Sequence, residues 1–80
     1  MKTLNEFKSV FKDAPFGSEF VRFYQIGNEV TLRYSFHMIP TPLLMFCAGL
    51  REKYGFAFYV TTSSIVNSSF VDLVVYTTLS

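Results

Sequence analysis

Few residues of this 80-residue chain are of the types that carry catalysis or bind metal ions. His37 is the single histidine and Cys47 the single cysteine. A general base needs an orienting partner and a nearby nucleophile. Ser35 precedes His37 by two positions and shares a strand face with it, which is an alignment and not a triad. Cys47 lies among apolar residues of a predicted helix, more than a turn from the helix start, and this is typical of a buried thiol.

The acidic residues and the glycines form no recognisable catalytic or phosphate-binding motif. No two of the six acids share a strand face by alternation, so no carboxylate pair is available for glycoside chemistry. The four glycines have neither dinucleotide-binding nor P-loop spacing. A stable metal site needs three or four ligands, and the sequence shows no such set of ligands. We therefore expect no enzymatic activity, no catalytic residue, no metal and no cofactor.

The chemistry best represented in the sequence is that of arginines and aromatic rings on one strand face. Two β-rich runs, 19–26 and 29–37, are separated by Gly27-Asn28, and these two residues tolerate the positive φ of a tight hairpin turn. The two-residue turn fixes a register in which Arg22 lies opposite Arg33. Like charges in that arrangement repel each other, so a compensating group is expected.

Three groups would compensate the arginine pair: Asp72 from the last predicted strand, a phosphate, or an acidic partner. Asp72 is the only charged residue after residue 53. Rings and arginines on a sheet face are typical of protein-binding hot spots, of single-stranded nucleic-acid binding and of a simply solvated surface. The candidate partner-binding residues are Phe20, Arg22, Tyr24, Arg33, Asp72 and Tyr76.

Two predicted helices complete the elements that position these residues. Thr3 and Glu6 form a capping box at the start of the first helix, which we expect to end before Pro15. In the second helix we expect Thr41 as the N-cap, followed by Pro42 in the first turn. Strands at 56–62 and 70–79 follow it.

The order of elements, αββαββ, predicts an α+β two-layer sandwich in a single domain of residues 1–80. A four-stranded, mostly antiparallel sheet carries two helices on one face. The arrangement suggests an architectural repeat of 1–37 and 41–79. The crossover from the second strand to the third makes them either parallel neighbours or separated strands, and the sequence leaves both open.

The composition is rich in rings and poor in charge. Aromatic residues make up 19% of the chain and charged residues 16%, with a formal net charge of +1. Fifteen rings are more than two helices can cover, so we expect some on a partner-binding surface. The apolar stretch 38–50 is shorter than a membrane helix needs, and the first residues lack a signal peptide's apolar run. A lone thiol favours the cytoplasm.

Our leading hypothesis is a small non-enzymatic interaction protein that binds a protein partner, as phage-encoded inhibitors and antitoxins do. The alternative is single-stranded nucleic-acid binding through the arginine and aromatic face, which the low net charge disfavours. A third reading is an enzyme whose site forms only across an oligomer, which the substitution His37→Ala would probe. The apolar helix 42–50 and the nearly uncharged strand 70–79, expected at a sheet edge, predict a homodimer or larger homo-oligomer.

Overall fold

The computed structural model describes residues 3–12, 21–63 and 69–79. It confirms the α+β architecture and the αββαββ order. The elements, in chain order, are α1 (Leu4–Ser9), β1 (Val21–Ile26), β2 (Glu29–Phe36), α2 (Thr41–Tyr54), β3 (Ala57–Thr62) and β4 (Val71–Thr78).

Helix α1 begins at the predicted capping residue. The Glu6 N–H donates to Thr3 Oγ1 at 3.1 Å, and this satisfies one of the backbone donors that a helix start leaves unpaired. The helix ends at Ser9, earlier than the sequence suggested. Beyond it the Phe11 N–H donates to the Lys8 carbonyl at 3.0 Å, an i→i−3 bond that tightens the last turn.

Helix α2 has the predicted stop, but its predicted start is wrong by one residue. Pro40 is the N-cap, because its carbonyl accepts the first helical hydrogen bonds, including one of 3.1 Å from the Leu43 N–H. Thr41 is therefore already helical, and no side chain caps this end. At the other end Gly55 has φ 75°, the left-handed conformation that glycine adopts most readily, and its N–H donates to the Arg51 carbonyl.

The sheet has the order β1-β2-β4-β3, and every neighbouring pair is antiparallel. β2 and β3 therefore run in the same direction with β4 between them, so the separated arrangement is correct. The expectation that strand 70–79 lies at an edge is wrong. β4 is hydrogen-bonded on both sides, and Asp72, Leu73, Val74 and Val75 are all buried. A strand so placed has few positions where a charge would reach water, which explains its low charge.

The predicted hairpin register of β1 and β2 is confirmed, with Arg22 opposite Arg33 and Gly27 at φ 59° in the turn. Both helices pack on the sheet face that carries Leu32 and Tyr34, here called the helix face. From α1, the Phe7 ring lies 6.4 Å from Phe23 and 5.2 Å from Phe56. Within the described residues, no helix is long and apolar enough to cross a membrane.

Candidate binding face

The sheet face opposite the helices, here called the second face, holds those predicted binding residues that the structure describes, in rows across the strands. One row is formed by Tyr24, Thr31, Tyr76 and Ala57, on β1, β2, β4 and β3 respectively. The row on one side of it includes Ile26, Glu29 and Thr78. The row on the other side contains Arg22, Arg33, Val74 and Tyr59. These rows exist because alternation along each strand sends every second side chain to this face.

A buried ion pair supplies the counter-charge that the arginine pair requires. Arg33 Nε lies 3.4 Å from Asp72 Oδ2, and the Ser35 hydroxyl donates to Asp72 Oδ1 at 2.6 Å. The pairing of β2 with β4 places Ser35 directly opposite Asp72. Of the three compensating groups considered, Asp72 therefore neutralises Arg33 within the chain.

The same burial removes Asp72 from any surface that a partner touches. Its side chain is 0% exposed, and that of Arg33 is 16% exposed. Asp72, a predicted contact residue, therefore offers a partner no exposed surface, and its carboxylate instead contacts Arg33 and Ser35. Arg22, on the edge strand β1, remains exposed and offers a cation to a partner.

A concavity of about 380 Å³ opens on the second face beside the arginine row. We call it the tyrosine concavity; it is lined by Tyr24, Ile26, Glu29, Thr31, Tyr59, Val74 and Tyr76. The rings of Tyr59 and Tyr76 meet edge to face, with centroids 5.9 Å apart and planes at 69°. Thr31 is buried between the strands that carry Tyr24 and Tyr76. The short threonine side chain thus forms a floor between two tyrosine walls.

The structure brings Tyr24 and Tyr76 together in this concavity and places Arg22 and Arg33 in the adjacent row. Phe20 lies outside the described residues. Tyr59 and Glu29 were not among the predicted site residues, although both line the concavity. Alternation along 56–62 puts Tyr59 on one face, but without the strand order nothing showed that this face adjoins Tyr76.

A second hollow, of about 540 Å³, lies on the helix side between α1 and α2. Its lining is mostly apolar and includes Val10, Met45, Phe46 and Leu50, with Lys53 as its one charged residue. It contains no convergent set of polar groups of the kind that orients a ligand.

Cys47 and His37 each pack as ordinary structural side chains. Cys47 is fully buried, and burial raises the pKa of its thiol to about 11, so the nucleophilic thiolate is scarce at neutral pH. The His37 ring lies against Phe70, with centroids 4.0 Å apart. Across 3–12, 21–63 and 69–79, no group of three or more His, Cys, Asp or Glu residues is placed to hold a metal ion.

Comparison of the chain with protein-family models, with curated proteins and with solved structures gives no match.

Proposed function

We propose that this is a small non-enzymatic interaction protein that binds a protein partner through the second face, centred on the tyrosine concavity. The observation that carries the proposal is the convergence of Tyr24, Tyr59 and Tyr76 on one hollow, with the exposed Arg22 beside it. Tyrosine and arginine are enriched among the residues that dominate protein interfaces, since each combines contact area with a polar end. Occlusion of a partner's surface, as by phage-encoded inhibitors or antitoxins, is the mode of action we favour.

Binding of single-stranded nucleic acid gets less support from the same face. The charge of Arg33 is neutralised by Asp72, and Glu29 lines the concavity where a phosphate would approach. Affinity for a phosphate backbone depends on several uncompensated cations. Oligonucleotide titration at low salt tests this alternative, and tight, salt-sensitive binding there would replace the protein-partner proposal.

The proposal is tested by affinity capture from the native host with wild-type protein and two matched variants. Tyr76→Ala removes a wall of the concavity, whereas Tyr54→Ala removes an exposed ring at the end of α2. The captured protein is then purified and its affinity for each variant is measured by calorimetry. We expect Tyr76→Ala to weaken binding by roughly 30-fold or more, the loss typical of a hot spot, and Tyr54→Ala to have little effect. Equal affinity of both variants would contradict the proposal.

An uncharged edge strand offers a separate surface for self-association. β3 has the sequence AFYVTT and forms one edge of the sheet. Its Val60 is 51% exposed and Tyr59 46%. Exposed edges are usually protected by charges or prolines, as Arg22 protects β1 at the other edge, and β3 has neither. We place the predicted homodimer at this edge in place of strand 70–79.

The backbone of β3 sets the register in which two copies would pair. The Ser63 N–H donates to the Phe70 carbonyl at 3.0 Å. By antiparallel alternation, the backbone groups of Phe58, Val60 and Thr62 then point away from β4. Antiparallel pairing centred on Val60 places this residue opposite itself, and Phe58 opposite Thr62 of the second copy. Every residue pair across this dimer interface is uncharged.

Arg51, a cation that lies close to this edge, does not oppose such a dimer. Arg51 lies over the Phe58 ring, 5.3 Å from its centroid. In the centred register the two copies of Phe58 are offset along the strands by roughly 14 Å. That separation exceeds the screening length of about 8 Å at physiological salt, so repulsion between the two copies of Arg51 is weak.

Substitution at Val60 tests the dimer by sedimentation equilibrium. We expect Val60→Lys or Val60→Glu alone to raise the dissociation constant by roughly fivefold or more, since each places like charges in direct opposition. An equimolar mixture of the two variants should restore the dimer, because opposite charges then meet. Gln25→Lys on the other edge strand is the control and should dimerise as wild type does. A wild-type protein that stays monomeric at high concentration would contradict the dimer.

The cytoplasm is the compartment we propose. The fully buried thiol of Cys47 packs as a small apolar side chain. A single unpaired cysteine is most compatible with a reducing environment. Fractionation of the native host, with antibody detection of the chain, measures this directly.

A further inference from the structure

We propose that the tyrosine concavity is an aromatic cage for a cation, and that its occupant is the ammonium group of a lysine side chain on the protein partner. This inference rests on the proposed function, because it names the group through which the partner is recognised. It differs from two of the alternatives that the arginines left open, a phosphate and an acidic partner.

The spacing of the tyrosine walls suits a cation. Tyr24 and Tyr76 occupy the same row on β1 and β4, with Thr31 of β2 between them. Two strand spacings separate their backbones by roughly 10 Å. Side chains stand roughly perpendicular to a sheet, so rings carried at this spacing leave room for a cation about 5 Å from each, close to the roughly 6 Å over which a ring face attracts a cation. Tyr59, packed edge to face on Tyr76, adds a third ring.

The charges around the hollow favour the same occupant. Glu29 is the only ionisable acid or base in its lining apart from the tyrosines. Arg33 lies in the neighbouring row, but its charge is paired with Asp72. Arg22 is exposed in that row and is not part of the lining. A carboxylate beside three tyrosine rings attracts an ammonium group and repels a phosphate.

Three cations of the described chain lie over rings outside the concavity. Lys8 lies 4.9 Å from the centroid of the Phe23 ring, and Lys53 lies 5.3 Å from that of Tyr54. Arg51 is placed similarly over Phe58. Within the described part of the chain, none of the three concavity tyrosines has a cation over its ring. No cation of the described chain therefore competes with a partner's cation for these rings.

The test uses a lysine tripeptide, acetyl-Gly-Lys-Gly-amide, and its neutral counterpart, in which norleucine replaces lysine. NMR titration follows the tyrosine ring protons of the protein and the ε-methylene protons of the lysine. We expect the lysine peptide to bind weakly, with its ε-methylene resonance shifted upfield by the ring currents. Raising the salt concentration should weaken this binding, and the norleucine peptide should bind far less.

Two matched pairs of variants locate the site. Tyr24→Leu is compared with Tyr54→Leu, because the two side chains are 39% and 42% exposed. Glu29→Gln is compared with Glu52→Gln, a change of the same charge at an exposed position on α2. We expect the two concavity variants to bind the lysine peptide roughly three- to tenfold more weakly, and the two controls to bind it as wild type does. Circular dichroism confirms that each variant is folded.

The outcomes separate the cage from the proposed function. Equal binding of the norleucine peptide, a site that prefers inorganic phosphate, or equal effects of Glu29→Gln and Glu52→Gln would overturn the cage. If the lysine peptide does not bind but Tyr76→Ala still abolishes capture of the partner, the cage is wrong and the proposed function stands. If the peptide binds as expected but the concavity variants keep the partner, the concavity still binds an ammonium group, whereas the proposed function and the assignment of that group to the partner are both wrong.

Discussion

Asp72→Asn is the substitution that most directly tests how the second face is built. Asparagine keeps the size of the side chain and removes the charge that faces Arg33 and accepts from Ser35. The Ser35 hydroxyl donates at 2.6 Å to a carboxylate with no exposed surface. Hydrogen bonds to charged groups contribute about 1.5–3 kcal/mol. Arg33, 16% exposed, would also lose its counter-charge.

We expect Asp72→Asn to lower the free energy of unfolding by about 2–4 kcal/mol. Breaking a fully buried ion pair costs about 3–5 kcal/mol, and the partial exposure of Arg33 places this case toward the lower end. For 80 residues the total stability is about 4–12 kcal/mol, so the loss is a large fraction of it. Urea denaturation, followed by circular dichroism, measures the change.

A double-mutant cycle with Arg33→Met isolates the interaction. Arg33→Met leaves the carboxylate of Asp72 buried with Ser35 as its partner, and we expect it to destabilise more than Asp72→Asn. The double variant should be more stable than the sum of the two losses implies, by about 1–3 kcal/mol. Arg22→Met is the matched control, because it removes the same group from the exposed position opposite, and should change stability by less than about 0.5 kcal/mol. Additive losses, or an Asp72→Asn variant as stable as wild type, would refute the reasoning.

The remaining predictions concern two glycines and two buried groups that lose a proton at high pH, the thiol of Cys47 and the phenol of Tyr34. Gly55→Ala should lower the free energy of unfolding by about 1 kcal/mol, as measured by thermal denaturation. The left-handed backbone is the cause, because no atom lies within 4 Å of the added Cβ and no clash arises. Gly49→Ala, inside α2 and equally unobstructed, should instead stabilise by about 0.5–1 kcal/mol, and changes of equal sign would contradict this contrast. Burial raises the pKa of Cys47 from 9.0 to about 11 and that of Tyr34 from 10.0 to about 12. Stability is therefore retained below about pH 9 and falls as the pH rises through 11, because the unfolded chain releases these protons first; Cys47→Ala should delay the fall, and urea midpoints against pH measure it.

The local features of this chain follow from local sequence. The capping box of Thr3 and Glu6, the left-handed stop at Gly55 and the turn at Gly27 each depend on residues a few positions apart. A two-residue turn also sets the pairing of the strands on either side of it, so the opposition of Arg22 and Arg33 was predictable. The order of elements and the α+β class follow from the same short-range signals.

The placement of β4 was decided only by the tertiary structure. The scarcity of charge in 70–79 is compatible with an exposed, sticky edge or with a strand paired on both sides, and the sequence contains nothing that separates the two. The pairing of β2 with β4 joins residues some 40 positions apart, and such contacts depend on packing of the whole core under the helices.

The character of the binding face depends on that long-range pairing. It brings Asp72 to Arg33 and so removes a cation that the sequence offered to a partner. It also places Tyr76 on the strand next to Thr31. Because β3 pairs with the other side of β4, Tyr59 completes the lining of the hollow. The sequence alone determined which side chains share a strand face. The strand order decided which of them became neighbours, because alternation assigns a side chain to a face but not to a position across the sheet.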